Sequence, residues 1–531
     1  MTAPSAPAAA AHAHSQDIAP HIASAVSTSS RIHTVARVAP VLIAVGAFAL
    51  RASLGPLTVD DAYITFRYAR HLADGVGLVY NPGELVLGTT TPLYTLLMAF
   101  VARVGFDLPH AATLVNALCD AATVYVLFLT GRRLAGPGAG LLAAALFALT
   151  PMSIAFASAG METSLFCMLL VIGCWLAIAG RTTLAALALG IATLTRPEAL
   201  ILGGLLVILT TLQRRRPALA EAAVYAAPIV PWVLIAIWYF GSPLPQSMAA
   251  KAVAYRVDPF INPLAIAMHT ILPGESLLVI NTPLALVALL VAPLVVITLW
   301  AGARRILGSG GLAPLWVLFP LIYDAAYVAV GLRGVRMFPW YVIPTSPFLI
   351  LMLAIGGGIL AKRHLRQRGR LTWLPAALLI IWWLPGLLIG SRPGYPAGYT
   401  VARESHYREL AADYADRWGP TTLVAAPEIG ALGYFSEARI LDTVGLVSPA
   451  AARYYPLPVA MLAASDNAVA PRLIEDSTPD YVVSLDQFVI SSLDPDPWFQ
   501  ANYRLVERRV VHIFTSDTLL VYQRIGSGTG S

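Results

Sequence analysis

The chain has 531 residues, 57% of them apolar and 12% charged, with a mean hydropathy of +0.70. Soluble globular proteins carry about 25% charged residues, so this composition excludes a soluble enzyme and points to a polytopic α-helical membrane protein. The formal charge of +6 does not mark a nucleic-acid binder, because the basic residues stand in short clusters between apolar runs, as cytoplasmic anchors do.

Residues 1–36 are rich in Ala, Ser, Pro and His without periodicity, and read as a disordered cytoplasmic tail. The first apolar run, Val38 to Leu54, has no small-residue cleavage site leading into a soluble chain and reads as a retained span. Val59 to Pro92 then interrupts the apolar pattern. A helix from Asp60 to Ala73 places Asp60, Ile64, Arg67, His71 and Asp74 on one stripe, with Tyr63, Phe66 and Ala69 beside it. That pattern predicts an interfacial amphipathic helix with its aromatic side in lipid or protein and its charged side wet. Gly75, Gly77, Asn81, Pro82 and Gly83 supply turn chemistry, and Thr89 to Thr91 before Pro92 read as the cap of the next helix.

Further apolar segments run from Pro92 to Phe106, Ala111 to Thr130, Gly138 to Ala157, Glu162 to Ala179, Thr183 to Leu194, Glu198 to Leu212 and Ala222 to Phe240. Others follow at Asn281 to Trp300, Leu312 to Gly331, Pro339 to Ala361 and Leu371 to Ile389. With the first run these make about twelve candidates. The clusters Arg214 to Arg216, Arg304 with Arg305, and Lys362 to Arg370 fall two spans apart and share the cytoplasmic side. An outward C-terminal region then needs about eleven crossings, so one short segment does not cross. Pro92 to Phe106, and the pair broken at Thr195, Arg196 and Pro197, are the shortest.

From about Tyr395 the composition becomes soluble. His406 to Trp418 and Asn467 to Asp476 suit helices; Thr422 to Ala426, Tyr481 to Leu485, Tyr503 to Val511 and Thr518 to Ile525 suit strands. The division expected is a tail at 1–36, a transmembrane part at 37–392 with its first external loop at 59–91, and an extracytoplasmic α/β cap at 393–531.

Asp60 and Asp61 can supply a general base, with the partner acid orienting it or holding a cation. Neighbours on a helix point about 100° apart, which gives the two different tasks. The bland reading is an acidic first turn that suits the helix dipole. Glu162, Arg196, Glu198, Lys251, Arg333 and Arg336 end or interrupt apolar segments, where ionisable groups line polar cavities or snorkel to the interface. Of these, Glu162, Lys251, Arg333 and Arg336 fall on the same side as Asp60. The arginines suit a phosphate headgroup through their planar forks. Glu428 and Asp442 stand in Gly-interrupted segments that read as tight strand turns. Cys119, Cys167 and Cys174 all lie in apolar segments and offer no disulfide framework, thiol nucleophile or zinc site. No Walker loop, GxGxxG opening a helix, HExxH or GxSxG occurs.

The series DDAYITFRYARHLADGVGLVYNPGE, TTTPLY, SAGMETSLF, LTRPEAL, GSPLPQSMAAK and EIGALGYFSEARILDTVGLV resembles the GT-C superfamily of integral-membrane glycosyltransferases. Within it, the pattern is similar to the terminal β-(1,2)-arabinofuranosyltransferases of mycobacterial cell walls and their bacterial relatives. The resemblance implies a polyprenyl-phosphate sugar donor, a glycan or lipid acceptor on the outer face, and an acid pair in the first external loop. Carried onto this chain, Asp60 is the expected base and Asp61 its partner, with a divalent cation (Mg or Mn) as an open expectation. Related pairs are often Asp-Glu, and Asp-Asp shortens the second acid. Arg336, supported by Lys251 or Arg333, is the expected site for the donor phosphate, and Glu162, Arg196, Glu198 and Arg67 are further cavity candidates. Two other classes fit many spans and buried charges: a transporter or flippase of lipid-linked glycans, and a non-catalytic scaffold. Neither needs an acid-bearing helix under a soluble cap, and an Asp60→Asn variant that still transported would favour them.

Overall fold

A computed structural model describes residues 38–255, 258–271, 283–368, 397–462, 467–513 and 515–526. The expected tail, the expected last span at Leu371 to Ile389 and the start of the cap lie outside these residues.

The membrane part is built from helices α1 (Val38–Ser53), α2 (Asp60–Ala73), α3 (Pro92–Arg103), α4 (Leu108–Ala135), α5 (Pro137–Ala148), α6 (Pro151–Ser158), α7 (Thr163–Ile178), α8 (Thr182–Thr195), α9 (Ala199–Arg214) and α10 (Leu219–Phe240). After these come α11 (Gln246–Ala254), α12 (Ile261–Ile271), α13 (Pro283–Leu307), α14 (Leu315–Gly331) and α15 (Ser346–Arg368). Among the described residues three helices, Leu108–Ala135, Leu219–Phe240 and Pro339–Arg363, are long and apolar enough to cross a membrane, or four with the bent pair α5 and α6. Helices α3, α8 and α9 have 12, 14 and 16 residues. At 1.5 Å per residue they reach about 18 to 24 Å, short of a hydrocarbon core of about 30 Å.

The segment expected as one span from Gly138 to Ala157 is broken instead, bending by 51° between α5 and α6. Pro151 cannot continue the ladder, and the freed carbonyls at the end of α5 need donors. Arg51 of α1 supplies them: its guanidinium donates to the carbonyls of Ala148 (3.0 Å) and Phe147 (3.4 Å) while its Nε pairs with Asp120 of α4 at 2.5 Å. A lone acid inside an apolar span was the sequence signal for this pair. Helix α10 sits at the opposite extreme, with only Glu221 and Ala236 buried along its length.

The C-terminal part begins with α16 (Ala397–Asp413) and carries a five-stranded sheet of β1 (Leu423–Ala426), β2 (Arg439–Asp442), β3 (Tyr481–Leu485), β4 (Tyr503–Ile513) and β5 (Ser516–Arg524). Their order is β2-β1-β3-β5-β4, with β1 parallel to β2 and β3, and β5 antiparallel to β3 and β4. Short helices α17 (Gly430–Phe435), α18 (Pro471–Ser477) and α19 (Pro497–Asn502) complete it. The four expected strands form; β2 was not anticipated, because its four residues follow a helix of only six.

Strand alternation decides how this cap meets the membrane part. Ala425, Val482 and Leu520 turn to one face, against Phe499 and Tyr503. Val424, Ala426, Val483 and Val521 turn to the other, which joins Ile429, Ala431 and Leu432 and then Tyr63, Phe66 and Tyr68 of α2 in one apolar cluster. The cap and α2 therefore share a core.

Candidate active site

Val59 is extended and precedes α2, so Asp60 and Asp61 both fall in its first turn, where the dipole favours acids. The helical offset sends them to different surroundings. Asp60 is buried against the cap: Oδ1 accepts the amide N–H of Ala431 at 2.8 Å and Oδ2 that of Gly430 at 2.9 Å. Beyond them, Arg403 pairs with Glu404 at 2.5 Å and Glu428 at 2.8 Å, and the Tyr407 hydroxyl donates to Glu428 at 2.8 Å. Three carboxylates thus gather around one guanidinium. Burial raises the Asp60 pKa, and Arg403 and the two amides offset only part of the rise. Burial pushes Glu404 up to about 8 against the pull of Arg403, and Glu428 is raised for the same reason.

The charged stripe of α2 is wet only toward its end, where His71 is half-buried and Asp74 exposed; Asp60 and Arg67 are buried, contrary to the expectation from its amphipathic pattern. Arg67, expected in a cavity, is buried in the joint with the cap, where its guanidinium donates to the carbonyls of Tyr80 (2.8 Å), Ala438 (2.8 Å) and Gly433. A buried guanidinium needs several acceptors, and two of the three here come from the folded cap. Asn81 exchanges two hydrogen bonds with the backbone of Ile440, and Glu84 pairs with Arg439 at 2.5 Å. Glu428 and Asp442, read as parts of strand turns, bear that out in part. Asp442 accepts the N–H groups of Val444 and Val447, both at 2.9 Å, and burial raises it to about 6. Glu428 belongs to the Arg403 cluster.

Asp61 faces away from the cap joint and meets Lys251 of α11, with Nζ 3.2 Å from Oδ2; the two side chains are 20% and 29% exposed, Lys251 the less. Burial works against the Lys251 charge, but Asp61 and Tyr341 outweigh it and hold the ammonium above its usual range. Lys251 Nζ lies 5.1 Å from the Phe338 ring centre and 5.8 Å from that of Trp340, and these two rings stack at 4.8 Å. The Arg336 guanidinium is over the same Phe338 ring at 5.7 Å, and its backbone N–H donates to the Tyr255 carbonyl. Arg336 and Arg333 are both exposed, Arg333 in the turn that closes α14. Asp61, Lys251 and Arg336 are thus brought to one aromatic wall. Phe338 and Trp340 were visible in GLRGVRMFPW but unassigned. Arg403 gave no signal, since only its neighbour Glu404 is close in sequence, while Glu428 and Asp60 come from separate segments.

Glu162, Arg196 and Glu198 are brought together too. Arg196, set in extended backbone where Pro197 ends α8, pairs with Glu198 at 2.6 Å and Glu162 at 3.4 Å. The sequence topology grouped only Glu162 with the acid pair; the break at Pro197 carries Arg196 and Glu198 to it.

The acid pair does not fit a divalent cation as placed. Each Asp60 oxygen accepts a backbone amide, Asp61 is paired with Lys251, and among the described residues no three His, Cys, Asp or Glu side chains are grouped to share an ion.

An acid pair opening the helix after the first apolar helix, a helical membrane part and a sheet cap docked on that helix are consistent with the GT-C resemblance of the motifs. Comparison with known proteins agrees. Over 221 residues the chain is 27% identical to a terminal β-(1→2)-arabinofuranosyltransferase of Mycobacterium tuberculosis, covering 37% of this chain and 35% of that protein. The match thus spans about a third of the length of that curated relative. The fold is shared with ArnT from Cupriavidus metallidurans bound to undecaprenyl phosphate, with a TM-score of 0.54, 15% identity, and 92% of this chain and 98% of that one covered. It is also shared with the oligosaccharyltransferase AglB from Archaeoglobus fulgidus in complex with an inhibitory peptide and a dolichol-phosphate, with a TM-score of 0.50, 13% identity, and 88% and 72% covered. At these identities the likeness is one of fold. Residues 398–522 match a family model described as a domain of unknown function, DUF8728. The resemblance to the GT-C superfamily drawn from the motifs is borne out.

Proposed function

We propose that this protein is an integral-membrane glycosyltransferase that moves a sugar from a polyprenyl-phosphate donor to a glycan or lipid acceptor. The observation that carries this reading is the Asp61–Lys251 pair, 3.2 Å apart and partly open, against the Phe338–Trp340 wall. The two solved relatives of this fold carry undecaprenyl phosphate and dolichol-phosphate, which supports a lipid phosphate here.

The base assigned in this reading is Asp61, and Asp60 is its anchor, the reverse of the order expected from the sequence. Asp60 is buried with each oxygen accepting a cap amide, whereas Asp61 is part-exposed and held by one movable ammonium. When donor phosphate arrives, Lys251 turns to it with Arg336 and Arg333 in support, and Asp61 is released. Asp61 then takes the acceptor hydroxyl proton as that oxygen bonds to the anomeric carbon. The bond from that carbon to the phosphate oxygen breaks, and polyprenyl phosphate leaves with its charge held by the cations. One displacement inverts the anomeric centre. Membrane lipid surrounds the site, reached by the prenyl tail; about eleven crossings put the cap and the acid pair outside, opposite the Arg214 to Arg216 and Arg304 clusters. Arabinofuranose is the first sugar to test, on the strength of the mycobacterial relative.

The test is incubation of purified protein with polyprenyl-phosphate pentoses and hexoses, reading release of polyprenyl phosphate. Release from at least one donor, lost in Asp61→Asn, is expected. No release from any donor, or full activity in Asp61→Asn, overturns the reading.

A further inference from the structure

The motifs AGMETSLF and LTRPEAL have no part in the chemistry just described, yet their charged residues meet beside it. Arg196 is 4% exposed, and its Nη2 lies 2.6 Å from Glu198 Oε1, an oxygen that also accepts the Tyr327 hydroxyl at 2.7 Å. Its Nη1 reaches Glu162 Oε1 at 3.4 Å. The guanidinium faces the Tyr341 ring at 4.9 Å. Tyr341 is fixed by the Tyr323 hydroxyl, which donates to its carbonyl at 2.8 Å, and its ring lies 6.0 Å from Trp340. Trp340 and Phe338 are the rings on which Lys251 rests.

We propose that Arg196 is a positioning residue for the Asp61–Lys251 pair, holding the aromatic wall through Tyr341. This rests on the glycosyltransferase reading above. Two features separate the cluster from a simple structural ion pair. A buried ionic triad adds little stability over an apolar set of the same shape, so packing alone does not call for it. The guanidinium is also stacked on Tyr341, whose ring lies 6.0 Å from that of Trp340, and Lys251 Nζ lies 5.8 Å from the Trp340 ring centre. Lysine does not replace Arg196, because the planar fork serves two carboxylates and stacks on a ring at once.

The experiment measures kcat and KM separately for purified full-length variants. Glu162→Gln, which leaves Arg196 paired with Glu198 and stacked on Tyr341, keeps kcat within about twofold of wild type. Arg196→Lys, which keeps the charge but not the stacked fork, lowers kcat by about tenfold through the displaced wall with the donor KM little changed. Wild-type kcat in Arg196→Lys overturns the positioning role, and so does a loss in Glu162→Gln as large as that in Arg196→Lys. Wild-type protein that releases no polyprenyl phosphate refutes the glycosyltransferase reading instead, so the two failures are distinct.

Discussion

Replacing Gly430 by alanine tests how the cap holds the acid pair. Gly430 has no positive φ, so alanine fits its backbone, and in a helix the change favours the folded state by about 1 kcal/mol. The added Cβ, however, meets the backbone carbonyl of Asp60 and comes within 2.7 Å of its carboxyl carbon. Backbone atoms do not swing aside, so overpacking of about 1–3 kcal/mol follows. If the cap backs away, the two amide bonds to Asp60 lengthen, and hydrogen bonds to a charged group contribute about 1.5–3 kcal/mol each. The clash outweighs the helix gain, and a net loss of about 2 kcal/mol is expected, with faster hydrogen exchange in Asp60–Ala73 and a lower kcat. Gly419→Ala, whose Cβ meets nothing within 4 Å, is the control. A Gly430→Ala protein more stable than wild type, with unchanged exchange in that helix, refutes the docking argument.

Asp61→Asn is expected to abolish turnover with donor binding retained, whereas Asp60→Asn lowers turnover and loosens the cap, read by limited proteolysis; the opposite pattern restores Asp60 as the base. Arg336→Ala should weaken binding of polyprenyl phosphate by about tenfold and Arg336→Lys recover part of it, measured by direct titration, since the ammonium keeps charge but not the fork. Glu404 gives a pH test. Its folded pKa, about 8, lies above its ordinary 4.5, so the stability it contributes is complete below about pH 4.5 and is lost as pH rises through 8. At about 1.4 kcal/mol per unit the fall is on the order of a few kcal/mol. Glu404→Gln should flatten the dependence of Tm on pH between 5 and 8.5; an unchanged slope removes Glu404 as its source.

The sequence by itself determined the membrane class, the helix at Asp60 to Ala73 with both acids in its first turn, and four of the five cap strands. Composition and periodicity are local properties, and they survive in any fold that satisfies them. The GT-C resemblance was legible too, as an ordered series of short motifs. Tertiary structure alone decided the surroundings of each charge. Asp60 and Asp61 are equivalent in sequence, and only the docking of Gly430 and Ala431 makes one an anchor while the other meets Lys251. Arg67 looked like a wet residue on an amphipathic stripe until the cap supplied carbonyls from Gly433 and Ala438. Arg196 looked remote from the acids until Pro197 broke its helix and set it against Glu162. Burial of a charge depends on partners hundreds of residues away, which hydrophobic periodicity does not encode.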